Sequence, residues 1–204
     1  GLAAAQGHAE AQYMLGEMQS DGQGGPEDFA EARRLYGLAA EQGHAYAQCN
    51  LGVMHYNGEG GPEDFTEARR LFGLAAAQGD TSAQCMLGEM HRDGEGGLAD
   101  FAEARRLYGL AAEQGHADAQ CNLGVMHRKD KGGPEDFAEA RRLFGLAAAQ
   151  GHADAQYVLG GMHRNGEGGP VDFAEARRLF GLAAAQGHDD AQYNLGYMHV
   201  QGEG

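Results

Sequence analysis

Apolar and polar residues follow two helical patterns that alternate along this chain. In the first, as in DFAEARRLYGLAAEQG at residues 28–43, Phe29, Ala32, Tyr36, Ala39 and Ala40 fall at the three- and four-residue spacing of one helix face. In the second, as in HAYAQCNLGVMHYN at residues 44–57, Ala47, Gln48, Leu51, Gly52 and Met54 recur, and these five residue types stand in all six copies. Phe29, Phe65, Phe101, Phe137 and Phe173 mark successive copies of the first pattern, and 65 − 29 gives a period of 36 residues without drift. A helix pair of this length cannot bury its apolar face alone and buries it against the next pair. The pattern therefore predicts an all-α solenoid of stacked helix pairs.

Start and stop signals bound each helix. Asp28, Asp64, Asp100, Asp136 and Asp172 are each followed three residues later by Glu31, Glu67, Glu103, Glu139 or Glu175. That spacing predicts a capping box, with the aspartate as N-cap and the glutamate reaching back. Pro26, Pro62, Pro134 and Pro170 stiffen the lead-in, and Leu98 in their place predicts one looser connection. Gly43 is placed to end the first helix in a left-handed turn. Gly37, inside that helix, costs about 1 kcal/mol against alanine, which predicts a close approach by a neighbouring helix. In the second helix, small alanine and glycine admit close packing while leucine and methionine fill the space between helices.

Residues 1–204 are expected to form a single repeat array, with second-type helices of six repeats and five full helix pairs. Residues 1–6 match only the end of a first-type helix, and neither end carries a polar capping repeat. A piece of a longer array, or ends covered by another chain, is the expectation. Glu31–Pro62 and Glu103–Pro134 are nearly the same text 72 residues apart, as expected if pairs of repeats were copied.

Composition narrows the function. The 35 glycines recur in register and punctuate structure instead of marking low complexity. A formal net charge of −15 disfavours nucleic acid and anionic lipid as partners. No apolar run approaches the roughly 20 residues that span a bilayer, so membrane insertion is not expected. Cys49, Cys85 and Cys121 stand at one point of successive repeats, where packed helices lie roughly 10 Å apart. A disulfide needs Cα atoms within about 7 Å, so free packed thiols are predicted, which favours a reducing intracellular compartment.

The unit resembles the Sel1-like repeat, a relative of the tetratricopeptide repeat. The matching text is AQYNLGYMHVQGEG at Ala191–Gly204, the DFAEA opening, and AAEQGHADAQ at Ala111–Gln120. The resemblance covers essentially the whole chain. It implies a right-handed α/α superhelix that serves as a non-catalytic scaffold or adaptor. Two departures stand out. His55, His91, His127, His163 and His199 occupy a position where the family usually has an aromatic. Leu38, Leu74, Leu110, Leu146 and Leu182 stand where lysine or glutamate is common. A secreted, disulfide-rich branch carries paired cysteines in each repeat, and this chain lacks them.

Comparing copies of the second helix separates frame from face. The positions that vary most are those of Tyr46, Cys49, Val53 and Tyr56, spaced as one helical face. By resemblance to tetratricopeptide arrays, that face lines a concave groove. Its candidate partner-binding residues are Tyr13, Glu17, Tyr46, Val53, Tyr56, Glu89, Arg92, Arg128, Tyr157, Arg164, Tyr193 and Tyr197. Asn50, Asn122 and Asn194 lie beside it, placed to hydrogen-bond a peptide backbone. A protein or peptide with acidic residues opposite the arginines fits this face. A solvated surface free to drift is the alternative. A structural subunit held through its ends and its outer leucines is the rival function.

No catalytic, cofactor or metal site is predicted. The ten histidines show no metal-ligand spacing, and His44 and His55 lie about 16 Å apart by helix rise. The two serines, Ser20 and Ser82, have no base fixed by spacing. The Arg33–Arg34 pairs are expected to meet Glu31 and its neighbours on an exposed helix face. Leu38 lies roughly opposite Phe29, either packing on the next repeat or presenting an apolar line outward.

Overall fold

The computed structural model describes Ala4 and residues 6–203, so the expectation for residues 1–6 falls largely outside the described residues. The described residues form an all-α repeat solenoid divided into two compact units, residues 1–100 and 101–204. The first unit holds α1 (Ala9–Ser20), α2 (Phe29–Glu41), α3 (Ala45–Asn57), α4 (Phe65–Ala77) and α5 (Thr81–Asp93). The second holds α6 (Phe101–Glu113), α7 (Ala117–Arg128), α8 (Phe137–Ala149), α9 (Ala153–Asn165), α10 (Phe173–Ala185) and α11 (Asp189–Gln201). Even-numbered helices are the first type and odd-numbered helices the second. Within each unit, every helix packs on the one before it and the one after it.

The first-type helices bury Ala32, Leu35, Tyr36, Ala39 and Ala40 and their equivalents. Leu35 belongs to that stripe, whereas Phe29 is only half-buried and Phe173 is 39% exposed. The phenylalanines at the helix starts mark the repeat without forming its centre. In the second-type helices the glycine admits the next repeat's aromatic ring. A β-carbon at Gly52 would lie 2.8 Å from the Phe72 ring, and one at Gly16 would lie 2.7 Å from Tyr36. Close packing at these positions is as the sequence predicts.

The mid-helix glycines are different. A β-carbon at Gly37, Gly73, Gly109, Gly145 or Gly181 would meet nothing within 4 Å, so no neighbouring helix explains them.

The caps are half as predicted. Asp28, Asp64, Asp136 and Asp172 each accept from the backbone N–H three residues on, at 2.9–3.0 Å. Glu31 does not reach back to complete the box. It takes Arg34 through two hydrogen bonds of 2.7 Å, because an arginine one turn on offers a charged partner in place of one backbone N–H. Gly43 (φ +84°) closes a Schellman turn, with Gly43 N–H on the Ala40 carbonyl and His44 N–H on that of Ala39. Four of the second-type helices are capped by a histidine side chain. His44 Nδ1 accepts from Ala47 N–H at 3.2 Å, and His116, His152 and His188 repeat the arrangement, while Asp80 serves in α5.

Arg33 leaves the helix surface expected of it and ties down the loop after α3. It donates to His55 Nδ1 (2.8 Å), the Glu59 carbonyl (3.1 Å) and the Pro62 carbonyl (3.2 Å). Arg69 repeats this with His91 and, at 3.4 Å, the Leu98 carbonyl, so the loop without proline keeps its tether. Burial first, then the arginine charge, hold His55, His127 and His163 below the usual histidine range. The loop lies so close that a β-carbon at Gly60 (φ +66°) would sit 2.1 Å from the Phe29 carbonyl oxygen, which requires glycine there. A buried glutamine row adds a polar seam. Gln48 donates to the Ala40 carbonyl and accepts from Gln78 of the next repeat at 2.7 Å; Gln120 with Gln150 and Gln156 with Gln186 match it.

Candidate interaction face

The varying positions of the second-type helices start from one helical spacing, but packing divides them. Cys49, Cys85 and Cys121 are buried and form no disulfide, and burial pushes the Cys49 and Cys121 thiols up to about 12. The open face is therefore narrower than the variable face.

In the first unit the face is aromatic and acidic. Tyr13 donates to Glu17 at 2.5 Å and stacks on the His44 ring at 4.7 Å, with Tyr46 at 6.2 Å. Asn50 hydrogen-bonds to Tyr13 and Tyr36, so its amide is engaged within the chain. Burial and Glu17 raise the Tyr13 hydroxyl well above the usual range. Tyr56 packs edge-on to Phe65 at 5.2 Å, and its hydrogen bond to Glu95, with burial and the nearby Glu89 and Asp93, pushes it up to about 12. Arg92 pairs with Asp93 at 2.7 Å. Val53 is half-buried, and Tyr46 is 62% exposed.

In the second unit the face is basic. Arg128 and Arg164 each reach a glutamate in the loop of the following repeat. Arg128 Nε donates to Glu167 at 2.7 Å, and Arg164 Nε donates to Glu203 at 2.8 Å. These pairs hold Glu167 below the usual carboxylate range and raise both arginines. Arg164 also lies 4.7 Å over the Tyr197 ring, and Tyr157 stacks on His188 at 4.5 Å. Arg128, Tyr157, Arg164 and Asn194 converge on a pocket of about 190 Å³. Asn122 and Tyr193 do not line it; Asn122 is half-buried on α7 and Tyr193 stands exposed on α11.

Sequence reasoning missed four further residues there: Val158, Gly161, Asn165 and Phe180. One signal was available. Gly161 replaces Val53, Glu89 and Val125 of other copies, and a β-carbon on it would meet nothing within 4 Å.

The first-type helices carry the leucine row. Leu74, Leu110, Leu146 and Leu182 remain 38–42% exposed, and Leu38 is half-buried. They do not disappear against the next repeat. Leu74 lies with Gly37 and the Glu67–Arg70 pair along a cleft of about 340 Å³. Leu146 with Gly109 and Leu182 with Gly145 line clefts of about 410 Å³ in the second unit.

The Sel1 repeat model matches residues 9–44, 45–80, 81–116, 117–152, 153–188 and 189–204. The chain belongs to the Sel1 repeat family. Each matched segment starts with a second-type helix and carries the text ADAQ, AQYNLG or their variants. A protective antigen present in uropathogenic Escherichia coli strains, displaying an SLR fold, is 38% identical with a TM-score of 0.93. The match covers 98% of this chain and 43% of that one, so this chain spans less than half the antigen's length. A Sel1 repeat protein from Oxalobacter formigenes is 29% identical with a TM-score of 0.89, covering 98% of this chain and 79% of its own. An immunity protein from Pseudomonas aeruginosa, 21% identical with a TM-score of 0.55 over 90% of this chain and 67% of its own, shares the fold. No curated protein matches this sequence. Sel1 repeats are in general non-catalytic scaffolds for protein interaction. Among the described residues no helix is long and apolar enough to cross a membrane.

Proposed function

We propose that this chain is a protein-binding scaffold that engages its partner through the open face of its second-type helices. The observation that carries this reading is the pocket beside Gly161. Four residues singled out from repeat comparison, from three different helices, meet there around space that the chain itself does not fill. The frame residues beneath are alike in every copy, while the face residues differ. Binding modules of this kind keep one packing solution and vary what they present.

The test compares three forms as bait in a pull-down from the source's extract: wild type, Arg92→Glu with Arg128→Glu and Arg164→Glu, and Leu74→Glu with Leu146→Glu and Leu182→Glu. A partner lost with the arginine set and kept with the leucine set supports the face. The converse moves the site to the other surface. That second reading, an assembly subunit held by its outer leucines, is favoured by one observation, the row of leucines exposed beside open clefts.

A further inference from the structure

Among the described residues, the Gly161 pocket combines space, an apolar floor and two arginines in its lining. Phe180, 1% exposed, forms the floor, with Tyr157 and Val158 beside it. Arg128 and Arg164 stand around it, and the remaining polar lining is the neutral amides of Asn165 and Asn194. No acidic side chain lines it among the described residues.

Glycine is a poor choice inside a helix, and Gly161 does nothing for the fold that a larger residue would not do. Val53 and Val125 occupy the same position in α3 and α7. What glycine supplies here is room. The arginines show what that room is suited to. Each already holds a carboxylate, Glu167 through Nε and Nη2 and Glu203 likewise, from a loop reached 39 residues along the chain. Both pairs remain open to water, with side chains 22–34% exposed, and such pairs are weak and screened by salt. Exchanging one carboxylate for another on the same guanidinium conserves the charge-assisted hydrogen bonds.

On the reading that this face binds protein, we propose that the pocket takes an acidic partner segment. One apolar side chain enters over Phe180, and flanking carboxylates displace Glu167 and Glu203 from Arg128 and Arg164. Neighbouring packed helices lie roughly 10 Å apart and an extended chain rises about 3.3 Å per residue, so the two carboxylates stand about three residues apart. The pocket is thus read as a site for an acidic–apolar–acidic stretch, and loop glutamates fill its charged places when no partner is bound.

The probe is a short fluorescein-labelled peptide with a leucine between two glutamates about three residues apart, followed by fluorescence anisotropy on the full chain. Control peptides carry lysines for the glutamates or alanine for the leucine. Gly161→Val fills the pocket with the residue its sister helices already carry, and a melt monitored by circular dichroism confirms that it folds. The expected result is binding of the glutamate peptide, weakening at least tenfold in Gly161→Val and on replacing leucine by alanine, and no binding of the lysine peptide. Equal binding by Gly161→Val, equal binding of the lysine peptide, or no binding of the glutamate peptide up to about 1 mM, an affinity weaker than transient encounters need, overturns the proposal. A protein partner kept by Gly161→Val but lost by the arginine reversals sinks the pocket and leaves the face standing. A partner kept by both sinks the face as well.

Discussion

Two kinds of helix glycine in this chain make opposite predictions for the same substitution. Gly37, Gly73, Gly109, Gly145 and Gly181 sit inside first-type helices with open space where a β-carbon would go. Alanine there gains the helix propensity difference of about 0.8–1.0 kcal/mol and meets nothing. The five sites are a full repeat apart and share no partners, so their effects should add to about 4–5 kcal/mol. Gly52 sits inside a second-type helix, where the added carbon would lie 2.8 and 2.9 Å from two atoms of the Phe72 ring. Phe72 is fully buried and cannot swing aside. Overpacking of this sort costs about 1–3 kcal/mol, more than the propensity gain returns. Gly124→Ala, 3.1 Å from Phe144, should cost less than Gly52→Ala. Urea unfolding followed by far-UV circular dichroism reads both signs. With slopes of about 1–3 kcal/mol/M, each outer alanine should raise the midpoint by about 0.3–1 M, while Gly52→Ala lowers it. A lowered midpoint for Gly37→Ala, or a raised one for Gly52→Ala, would refute the assignment of the two rows.

Acid should destabilise the fold in two stages. His55, His127 and His163 are held below their usual value near 6.5, so below that pH the unfolded chain takes up protons the folded chain does not, and stability falls as pH falls. Glu67, Glu139, Glu167 and Glu175 are lowered by their arginines, so their contribution is present above about 4.5 and is lost as pH drops through their folded values. Melting temperatures at pH 7.5 and 5.5 should differ, and replacing the three histidines by glutamine, which still accepts from arginine, should shrink that difference; an unchanged gap would count against the arginine–histidine tether. In a double-mutant cycle, Gln48→Ala and Gln78→Ala should couple by about 1 kcal/mol, the worth of one hydrogen bond, and zero coupling would remove the glutamine seam from the account. The buried cysteines, with thiols pushed up to about 12 in Cys49 and Cys121, should react with a disulfide reagent only on unfolding; prompt native-state labelling would contradict their burial.

Much of the candidate site was legible because repetition makes comparison possible within one chain. The frame of Ala47, Leu51 and Met54 against the changing positions 46, 53 and 56 pointed to the face, and Arg128, Tyr157, Arg164 and Asn194 do converge. The pocket itself was not legible. It depends on what Gly161 fails to fill and on the placement of Phe180, which comes from the next helix.

What the sequence determined by itself is what local spacing controls: two helices per 36 residues, aspartate caps, the glycine stop after each first-type helix and the buried stripe. These depend on residues within a turn or two of each other. Only the tertiary structure decided between chemically equal candidates. Arg33 and Arg34 are neighbours with the same side chain, yet Arg34 stays on its own helix with Glu31 while Arg33 crosses to His55 and the following loop. Gly37 and Gly52 are both mid-helix glycines, yet one faces open space and the other an aromatic ring. Those outcomes turn on contacts 20 to 39 residues apart, set by how each helix pair stacks on the next, and helical periodicity carries no information about them.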